Sequence, residues 1–213
     1  KILYDEKLLA RDENQNLFVR QGLEYSEDQI KESRLFCKIV DGLIFFCREL
    51  HEIYPDATFV GLIRNPYALC ESWMHRRKDI KTSIKHCKLI YERMLDDSRE
   101  IPNYKIFHYE DLVANPIKVI KCLYNHTDLN LEVVDQFRME IKKDRNEETN
   151  SINICKRKEK KLVWYEKKKI NDHFVKGTNV KQIQRLRSAE IKLINRELSS
   201  LLQELGYSVQ SPT

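Results

Sequence analysis

Short apolar runs that alternate with amphipathic helical patterns are the feature that most limits how this chain can fold. The runs cover Arg34–Val40, Thr58–Ile63 and Tyr104–Tyr109, and each adjoins a segment in which apolar residues recur with helical spacing. The runs are apolar throughout rather than at every second residue, which is typical of parallel strands covered on both faces. The sequence therefore predicts an α/β fold, with a parallel sheet flanked by helices.

Further segments complete a predicted single domain. Helical spacing of apolar residues extends over Asp79–Glu100, Leu131–Lys143 and Val180–Tyr207, and Gly206 supplies a stop signal for the last of these helices. Residues 144–176 are polar and heavily charged, which favours an irregular or mobile segment. The predicted division of the domain is a partial N-terminal region at 1–33, a core at 34–143, a basic loop region at 144–179 and a C-terminal helix at 180–207.

Composition narrows the possible classes of protein. A net charge of +5 over 213 residues suits a phosphate-bearing ligand, but nucleic-acid binding calls for a stronger and more clustered excess of cations. The six cysteines form no CxxC pair and show no metal-ligand spacing, so we expect reduced structural thiols and no metal site. No apolar run approaches the ~20 residues of a membrane span. We therefore expect a cytoplasmic protein, or a protein of the Golgi lumen if an N-terminal anchor has been lost.

The stretch "TFVGLIRNPYALCESW" places Arg64 at the carboxyl end of a predicted strand and Ser72 about two turns into the following helix. Ligands of open α/β sheets bind outside the carboxyl ends of the strands, and an arginine there matches the geometry of a phosphate. The N-terminus of the helix adds backbone N–H groups and a partial positive charge. The alternative is structural, with Arg64 paired to a neighbouring acid and Ser72 exposed on the helix surface.

Two blocks of sequence, in order, resemble sulfotransferases that use 3′-phosphoadenosine 5′-phosphosulfate as donor. "YPDATFVGLIRNPYALCESW" is similar to their 3′-phosphate-binding motif, in which an Arg-(Asn/Asp)-Pro step is followed by a serine eight residues after the arginine. "KIFHYEDLVANPIKVIKCLYNH" is similar to a second family segment, and the closing "ELSSLLQELGY" resembles the last helix of bacterial-type members. The resemblance covers about Arg34 to Asn125 well and the C-terminal helix weakly.

The resemblance implies a fold like that of P-loop nucleotide-binding proteins and transfer of a sulfonate group to an acceptor hydroxyl or amine. It assigns Arg64, Ser72 and Tyr109 to the nucleotide, with Tyr109 near the adenine, and it requires no metal. The acceptor would be a small molecule, a carbohydrate or a protein. The region that supplies a catalytic base in the family holds Lys38, which could act on the acceptor, bind a bridging phosphate oxygen or extend from a strand end into solvent.

The chain also departs from the family. No glycine-rich loop of the kind that cradles the 5′-phosphosulfate is present, because the five glycines are scattered. Since the chain begins at Lys1 in what reads as the middle of a domain, we expect a fragment of a longer enzyme; a degenerate homologue is the alternative. Such a fragment would be inactive alone and would bind only the 3′-phosphate end of the donor.

The basic run at Lys156, Arg157 and Lys158 continues through Lys160-Lys161 and Lys167–Lys169. By resemblance it would close over the 3′-phosphate of the donor, but it could also steer an anionic acceptor or form a solvated surface. Two other functions stay open: a non-catalytic module that binds a nucleotide or a partner, and a nucleic-acid-binding domain built on this run. The second is disfavoured, because no aromatic residues are spaced for base stacking.

Overall fold

The computed structural model describes residues 26–32, 34, 36–38, 41–75, 79–141, 143–145, 152–154, 161–174 and 176–212. The chain divides into two compact units, Lys1–Val40 and Asp41–Thr213. The described part of the first unit contains helix α1, Glu27–Glu32. The second unit holds the rest of the described elements.

The strand predicted at Arg34–Val40 is not present at the described positions of that run. Arg34 and residues 36–38 have no regular secondary structure, and the side chain of Phe36 is 85% exposed. An apolar run shows that a segment can be buried, but a strand also needs a partner for its backbone hydrogen bonds. In the described sheets, no strand pairs with this segment.

The second unit begins with a 3-10 helix at Asp41–Phe46 that continues into α2, Cys47–Ile53. Strands β1, Phe59–Ile63, and β2, Tyr104–His108, pair in parallel, and helices α3, Pro66–Met74, and α4, Ile80–Glu100, connect them. Helices α5 and α6 follow at Tyr109–Ala114 and Pro116–His126. The described remainder consists of a 3-10 helix at Leu131–Val133, strands β3 at Gln136–Ile141, β4 at Lys143–Arg145, β5 at Ile152–Ile154 and β6 at Lys161–Glu166, a 3-10 helix at Lys167–His173, and helices α7 at Thr178–Ile183 and α8 at Ser188–Glu204.

The predicted α/β class is confirmed in outline, since the described chain is mostly helical and contains a small parallel sheet. Two parallel strands need a crossover, and the two helices between β1 and β2 provide it. One expectation about this sheet was wrong. Residues of β1 alternate between buried and exposed, with Val60 43% and Leu62 52% exposed, so one face of this strand is open among the described residues.

The two asparagine-proline steps, Asn65-Pro66 and Asn115-Pro116, each begin a helix. Asn65 accepts hydrogen bonds through Oδ1 from the backbone N–H groups of Tyr67 at 3.0 Å and Ala68 at 3.5 Å, and Asn115 accepts one from Lys118 at 3.3 Å. Each asparagine is followed by proline, whose fixed φ suits the first helical position. These caps set where α3 and α6 start.

The core lies between α3, α4 and α8. Its fully buried side chains come from the apolar stripe of each helix, as the periodicity predicts. They include Tyr67, Cys70, Cys87, Ile194, Leu198 and Leu202. Cys47 is also buried, and Cys37 and Cys122 are exposed; all five cysteines among the described residues are free, and Cys155 lies outside those residues.

Two segments differ from their predicted structure. The predicted helix at Leu131–Lys143 is a short 3-10 turn followed by β3, and the described parts of the predicted irregular segment include β4, β5 and β6. Strands β3 and β6 pair antiparallel, with Gln136 opposite Glu166. The alternation of apolar and polar residues from Phe137 to Ile141 has the period of a strand, and it was outweighed by the apolar residues before it.

The predicted C-terminal helix is broken into α7 and α8 between Gln184 and Arg187. Arg187 has an extended backbone, and its N–H group donates to Oε2 of Glu190 at 2.8 Å. This side-chain acceptor starts a new helix at Ser188. Gly206 follows α8 with a φ of 74°, a left-handed conformation that glycine adopts without strain, so the predicted stop is confirmed.

Candidate functional site

The parallel pairing of β1 and β2 brings Arg64 and Tyr109 together. Ile63 is opposite His108 at the ends of the two strands, so Arg64 and Tyr109 are the next residues at the same edge. The guanidinium carbon of Arg64 lies 4.9 Å from the centre of the Tyr109 ring. A cation over an aromatic face at this distance is a favourable contact. Two of the three residues that the sequence assigns to the nucleotide thus meet at the carboxyl edge of the sheet.

The guanidinium of Arg64 is hydrogen-bonded to neutral groups. Its Nε donates to Oδ1 of Asn179 at 2.7 Å, and its Nη2 donates to Oε1 of Gln182, both on α7. Within the described ranges, no carboxylate forms an ion pair with it. The alternative in which Arg64 pairs with a neighbouring acid therefore does not apply there, and its positive charge is available to an anion.

The backbone of Arg64 is held by one buried hydroxyl. Tyr91, on α4, accepts a hydrogen bond from the N–H group of Arg64 at 2.9 Å and donates one to its carbonyl oxygen at 2.7 Å. Burial raises the pKa of Tyr91, with the nearby Cys87 adding to the effect, so the hydroxyl keeps the proton that it donates. Two bonds to one fixed group set the point at which the arginine leaves the strand.

The N-terminus of α3 contributes less than the sequence suggested. Pro66 has no N–H group, and those of Tyr67 and Ala68 both donate to Oδ1 of Asn65. The expectation of free backbone donors at this helix start is therefore wrong for these three positions. Arg64, rather than the first turn of the helix, supplies the positive charge at this edge.

Ser72 lies on α3 and is partly buried. No hydrogen bond from Ser72 to another group is found in the part of the chain that the structure describes, which leaves its hydroxyl available. Its neighbour Glu71 is 3% exposed and has Oε1 at 2.6 Å from Nε of Arg185 and 2.8 Å from Nε2 of His75. The ion pair with Arg185 compensates the charge of Glu71. The sharing of one phosphate by Ser72 and Arg64 stays a prediction.

Glu110 collects hydrogen bonds from three parts of the chain. Its Oε1 accepts from the backbone N–H of Asn65 at 2.8 Å and from the side-chain amide of Asn179, and its Oε2 accepts from the hydroxyl of Tyr207 at 2.7 Å. Tyr207 also lies 3.2 Å from Nδ1 of His108, measured from its hydroxyl oxygen. The carboxylate therefore joins the end of β1, helix α7 and the chain after α8.

Sequence reasoning missed most of this network. The sequence motifs include Glu110 and Tyr207 without indicating a role for either, and no motif includes Asn179 or Gln182. The bond between Arg64 and Asn179 spans 115 residues, and that between Tyr207 and Glu110 spans 97. No local pattern marks such pairs. The one available signal was a tyrosine directly after the helix-ending Gly206.

The remaining predicted site residues are Lys38, which lies in the first unit, and three residues of the basic run. Lys38 is exposed and has no regular secondary structure, so the strand expected around it is not present at this position, and its catalytic role stays a prediction. Lys156, Arg157 and Lys158 lie outside the described residues.

The described end of the basic run is paired with acidic groups. Lys168 and Lys169 lie 3.1 and 3.2 Å from the carboxylate of Glu166, and hydrogen bonds from these lysines hold the pKa of Glu166 below its ordinary value. Lys167 donates to the carbonyl oxygen of Leu131 at 2.9 Å. These three cations are therefore engaged locally.

Neither a metal site nor a membrane-spanning helix is found among the described residues. Among the residues described, no group of three or more His, Cys, Asp or Glu side chains is placed to hold a metal ion. In the same residues, every helix is too short or too polar to cross a bilayer.

Comparison with known proteins supports the resemblance seen in the sequence. A model of the sulfotransferase family matches residues 12–133, more than half of the chain, and this range includes Arg64, Ser72 and Tyr109. The omega-hydroxy-beta-dihydromenaquinone-9 sulfotransferases Stf3 of Mycobacterium bovis (strain ATCC BAA-935 / AF2122/97) and Mycobacterium tuberculosis (strain CDC 1551 / Oshkosh) are similar to it. Each is 29% identical over 104 residues, covering 40% of this chain and 26% of the relative.

The chain thus aligns with about a quarter of the length of the curated relatives that it matches. No solved structure matches it. Because the family model covers more than half of its residues, the chain belongs to the sulfotransferase family.

Proposed function

We propose that this chain is the part of a 3′-phosphoadenosine 5′-phosphosulfate-dependent sulfotransferase that holds the 3′-phosphate end of the donor. The observation that carries the proposal is the state of Arg64. It lies at the carboxyl edge of a parallel sheet, its hydrogen-bond partners are neutral amides, and its guanidinium lies over Tyr109. An arginine kept without a paired carboxylate at such an edge is suited to a phosphate.

The proposed binding mode gives each residue one task. Arg64 contacts the 3′-phosphate, and the hydroxyl of Ser72 donates a second hydrogen bond to it from the side of α3. Tyr109 presents an aromatic face beside the nucleoside. Asn179 and Gln182 accept from Arg64 before the ligand arrives, and the phosphate oxygens replace one or both amides as acceptors.

The proposed reaction is an in-line displacement at sulfur. The acceptor oxygen or nitrogen forms a bond to the sulfur atom, the bond between sulfur and the bridging phosphate oxygen breaks, and the electron pair of that bond stays on the phosphate. The acceptor gives up its proton, and 3′-phosphoadenosine 5′-phosphate leaves. The residues discussed above bind and orient the donor at a distance from the sulfur, which lowers the entropic cost of the displacement.

The framework that we propose for this chemistry is the P-loop-like α/β fold of sulfotransferases. The parallel β1–β2 pair with its helical crossover and a site at the carboxyl edge are consistent with that fold. The acceptor would be a small molecule, a carbohydrate or a protein, and the donor phosphates would be neutralised by positive side chains without a metal.

A titration that varies only the 3′-phosphate tests the proposal. The chain is titrated calorimetrically with 3′-phosphoadenosine 5′-phosphate and, in parallel, with adenosine 5′-monophosphate, which has the same base and 5′-phosphate. Since hydrogen bonds to a charged group contribute about 1.5–3 kcal/mol, we expect the first ligand to bind about ten- to a hundredfold more tightly. Equal affinities, or no binding of the first ligand, would contradict it.

A further inference from the structure

The hydrogen bonds around Glu110 can run in one direction only. A carboxylate accepts hydrogen bonds and does not donate them. The hydroxyl of Tyr207 must therefore direct its proton at Oε2 of Glu110, 2.7 Å away. Burial raises the pKa of Tyr207, and the bond to Glu110 raises it further, so this proton is kept under ordinary conditions.

The contact between Tyr207 and His108 fixes the tautomer of His108. The oxygen of Tyr207 lies 3.2 Å from Nδ1 of His108 and has already given its proton to Glu110. It can only accept at this contact, so Nδ1 must carry the hydrogen. A neutral imidazole has a single N–H group, and its Nε2 then presents a lone pair.

A second chain of donors reaches the same carboxylate. The guanidinium of Arg64 only donates, so Asn179 turns its oxygen toward Arg64 and its nitrogen toward Oε1 of Glu110. The backbone N–H group of Asn65 donates to the same oxygen at 2.8 Å. Arg64 and Glu110 together thus fix the orientation of the Asn179 amide, and the tautomer of His108 follows from the charge on Glu110 through Tyr207.

We propose that Glu110 is the positioning residue of this sheet edge, which holds neutral His108 with its proton on Nδ1 so that Nε2 accepts a hydrogen bond from an N–H or O–H group at the nucleoside end of the ligand on Arg64. The role toward the ligand rests on the function proposed above, and the tautomer does not. His108 ends β2 and directly precedes Tyr109, so both residues belong to the same edge of the sheet.

The structure provides an internal reference for the tautomer. Nε2 of His126 lies 3.1 Å from the carbonyl oxygen of Phe59, which can only accept. Neutral His126 therefore carries its proton on Nε2, the opposite of His108. Long-range proton–nitrogen correlation spectra of the labelled chain, recorded at a pH where the imidazoles are neutral, distinguish the two forms.

Glu110→Gln reverses the direction of the hydrogen bonds that lead through Tyr207 to His108, and the new side chain has nearly the same shape as glutamate. The carbonyl oxygen of the new amide must face the N–H group of Asn65, so its NH₂ group faces Tyr207. Tyr207 then accepts from the amide and donates to Nδ1 of His108, which moves the histidine proton to Nε2. Tyr207→Phe is the second variant, because it removes the oxygen and with it the preference for Nδ1.

The expected spectra show His108 protonated on Nδ1 in the wild type and on Nε2 in Glu110→Gln, with His126 unchanged in both. If Glu110→Gln does not fold, Tyr207→Phe decides, and it is expected to lose the Nδ1 preference. The tautomer assignment is overturned by a wild-type proton on Nε2. It is equally overturned if neither variant, once folded, alters the His108 spectrum.

Addition of 3′-phosphoadenosine 5′-phosphate then tests the contact with the ligand. We expect the Nε2 resonance of His108 to shift and that of His126 to stay in place. Binding without a shift at His108 overturns the ligand contact. Absence of binding overturns the ligand contact together with the proposed function, and the tautomer result in the free protein separates that outcome from a wrong network.

Discussion

Arg64 and Tyr109, 45 residues apart in the sequence, meet at the carboxyl edge of the same sheet. The guanidinium carbon of Arg64 lies over the face of the Tyr109 ring, 4.9 Å from its centre. The parallel register of β1 and β2 causes this contact, because it aligns the residues that follow Ile63 and His108. The Tyr109 ring attracts the guanidinium of Arg64 although it carries no negative charge. Asn179 and Gln182 accept hydrogen bonds from the guanidinium and are also uncharged. This edge therefore orders an arginine and leaves its charge for a ligand.

The ring of Tyr109 is expected to support binding through its face rather than its hydroxyl. Tyr109→Ala removes the contact with Arg64, which is worth about 0.5–2 kcal/mol, and we expect 3′-phosphoadenosine 5′-phosphate to bind about three- to thirtyfold more weakly. Tyr109→Phe keeps the ring and should stay within about twofold of the wild type. A calorimetric titration of both variants checks this, and equal losses in the two would show that the hydroxyl matters instead.

Ser72 is expected to contribute one hydrogen bond to the phosphate that we propose Arg64 binds. Ser72→Ala should weaken binding of the same ligand by about 0.5–1.5 kcal/mol, whereas Ser200→Ala on the exposed face of α8 should have no effect. If both groups hold one phosphate, the double variant with Arg64→Ala should lose less or more than the sum of the two single losses. Strict additivity would indicate that they do not share a ligand.

Asp97 is expected to stabilise the packing of α4 against α2. Its carboxylate is fully buried and lies 3.0 Å from Nε of Arg48 and 2.9 Å from Nε of Arg93. Asp97→Ala leaves Arg93 without its carboxylate partner and leaves Arg48 with Glu100 alone, and the free energy of unfolding should fall by about 1.5–3 kcal/mol in urea denaturation.

The neighbouring Asp96 provides the matched control. It pairs with Arg99 on the exposed surface of α4, and such pairs contribute about 0–1 kcal/mol. Asp96→Ala should therefore change the unfolding free energy little. Similar losses for Asp96→Ala and Asp97→Ala would contradict the importance of the buried carboxylate.

The buried tyrosines are expected to make the protein sensitive to alkali. Burial raises the pKa of Tyr104 above its value in the unfolded chain. Burial is also the main reason why the pKa of Tyr91 is raised. A group whose pKa is raised by folding contributes stability below the unfolded pKa, about 10, and loses it as the pH rises beyond that value.

The size of this effect can be measured with one conservative variant. Each such hydroxyl adds up to about 1.4 kcal/mol per pH unit to the loss of stability above pH ~10. Tyr104→Phe removes one hydroxyl and keeps the ring, so its unfolding free energy should fall less steeply with pH. If the unfolding free energy of Tyr104→Phe, measured in urea, falls with pH as steeply as that of the wild type, then folding does not raise the pKa of Tyr104.

The elements that surround the candidate site could be predicted from local sequence. Strands β1 and β2 follow from apolar runs, and the starts of α3 and α6 follow from asparagine-proline steps whose caps the structure confirms. The apolar residues that recur with helical spacing in α4, from Ile84 to Met94, correctly predict the buried face of this helix. These signals act over a few residues, which is the range at which sequence patterns carry physical information.

The rest depends on partners that are distant in the sequence. Phe36 lies in an apolar run but is exposed, because hydrophobicity does not supply a strand with a neighbour. The segment at Phe137–Ile141 forms a strand because β6 pairs with it from 20 or more residues away. In the same way, the roles of Glu110, Asn179 and Tyr207 arise only when β1, α7 and the end of α8 meet.

The most direct test is the binding of 3′-phosphoadenosine 5′-phosphate to two variants that lose the same charge at different places. Arg64→Ala removes the proposed phosphate ligand, and Arg99→Ala removes a surface arginine that pairs with Asp96 and Glu204. We expect wild-type affinity for Arg99→Ala and a loss of about ten- to a hundredfold for Arg64→Ala. Equal affinities of the two variants would contradict it.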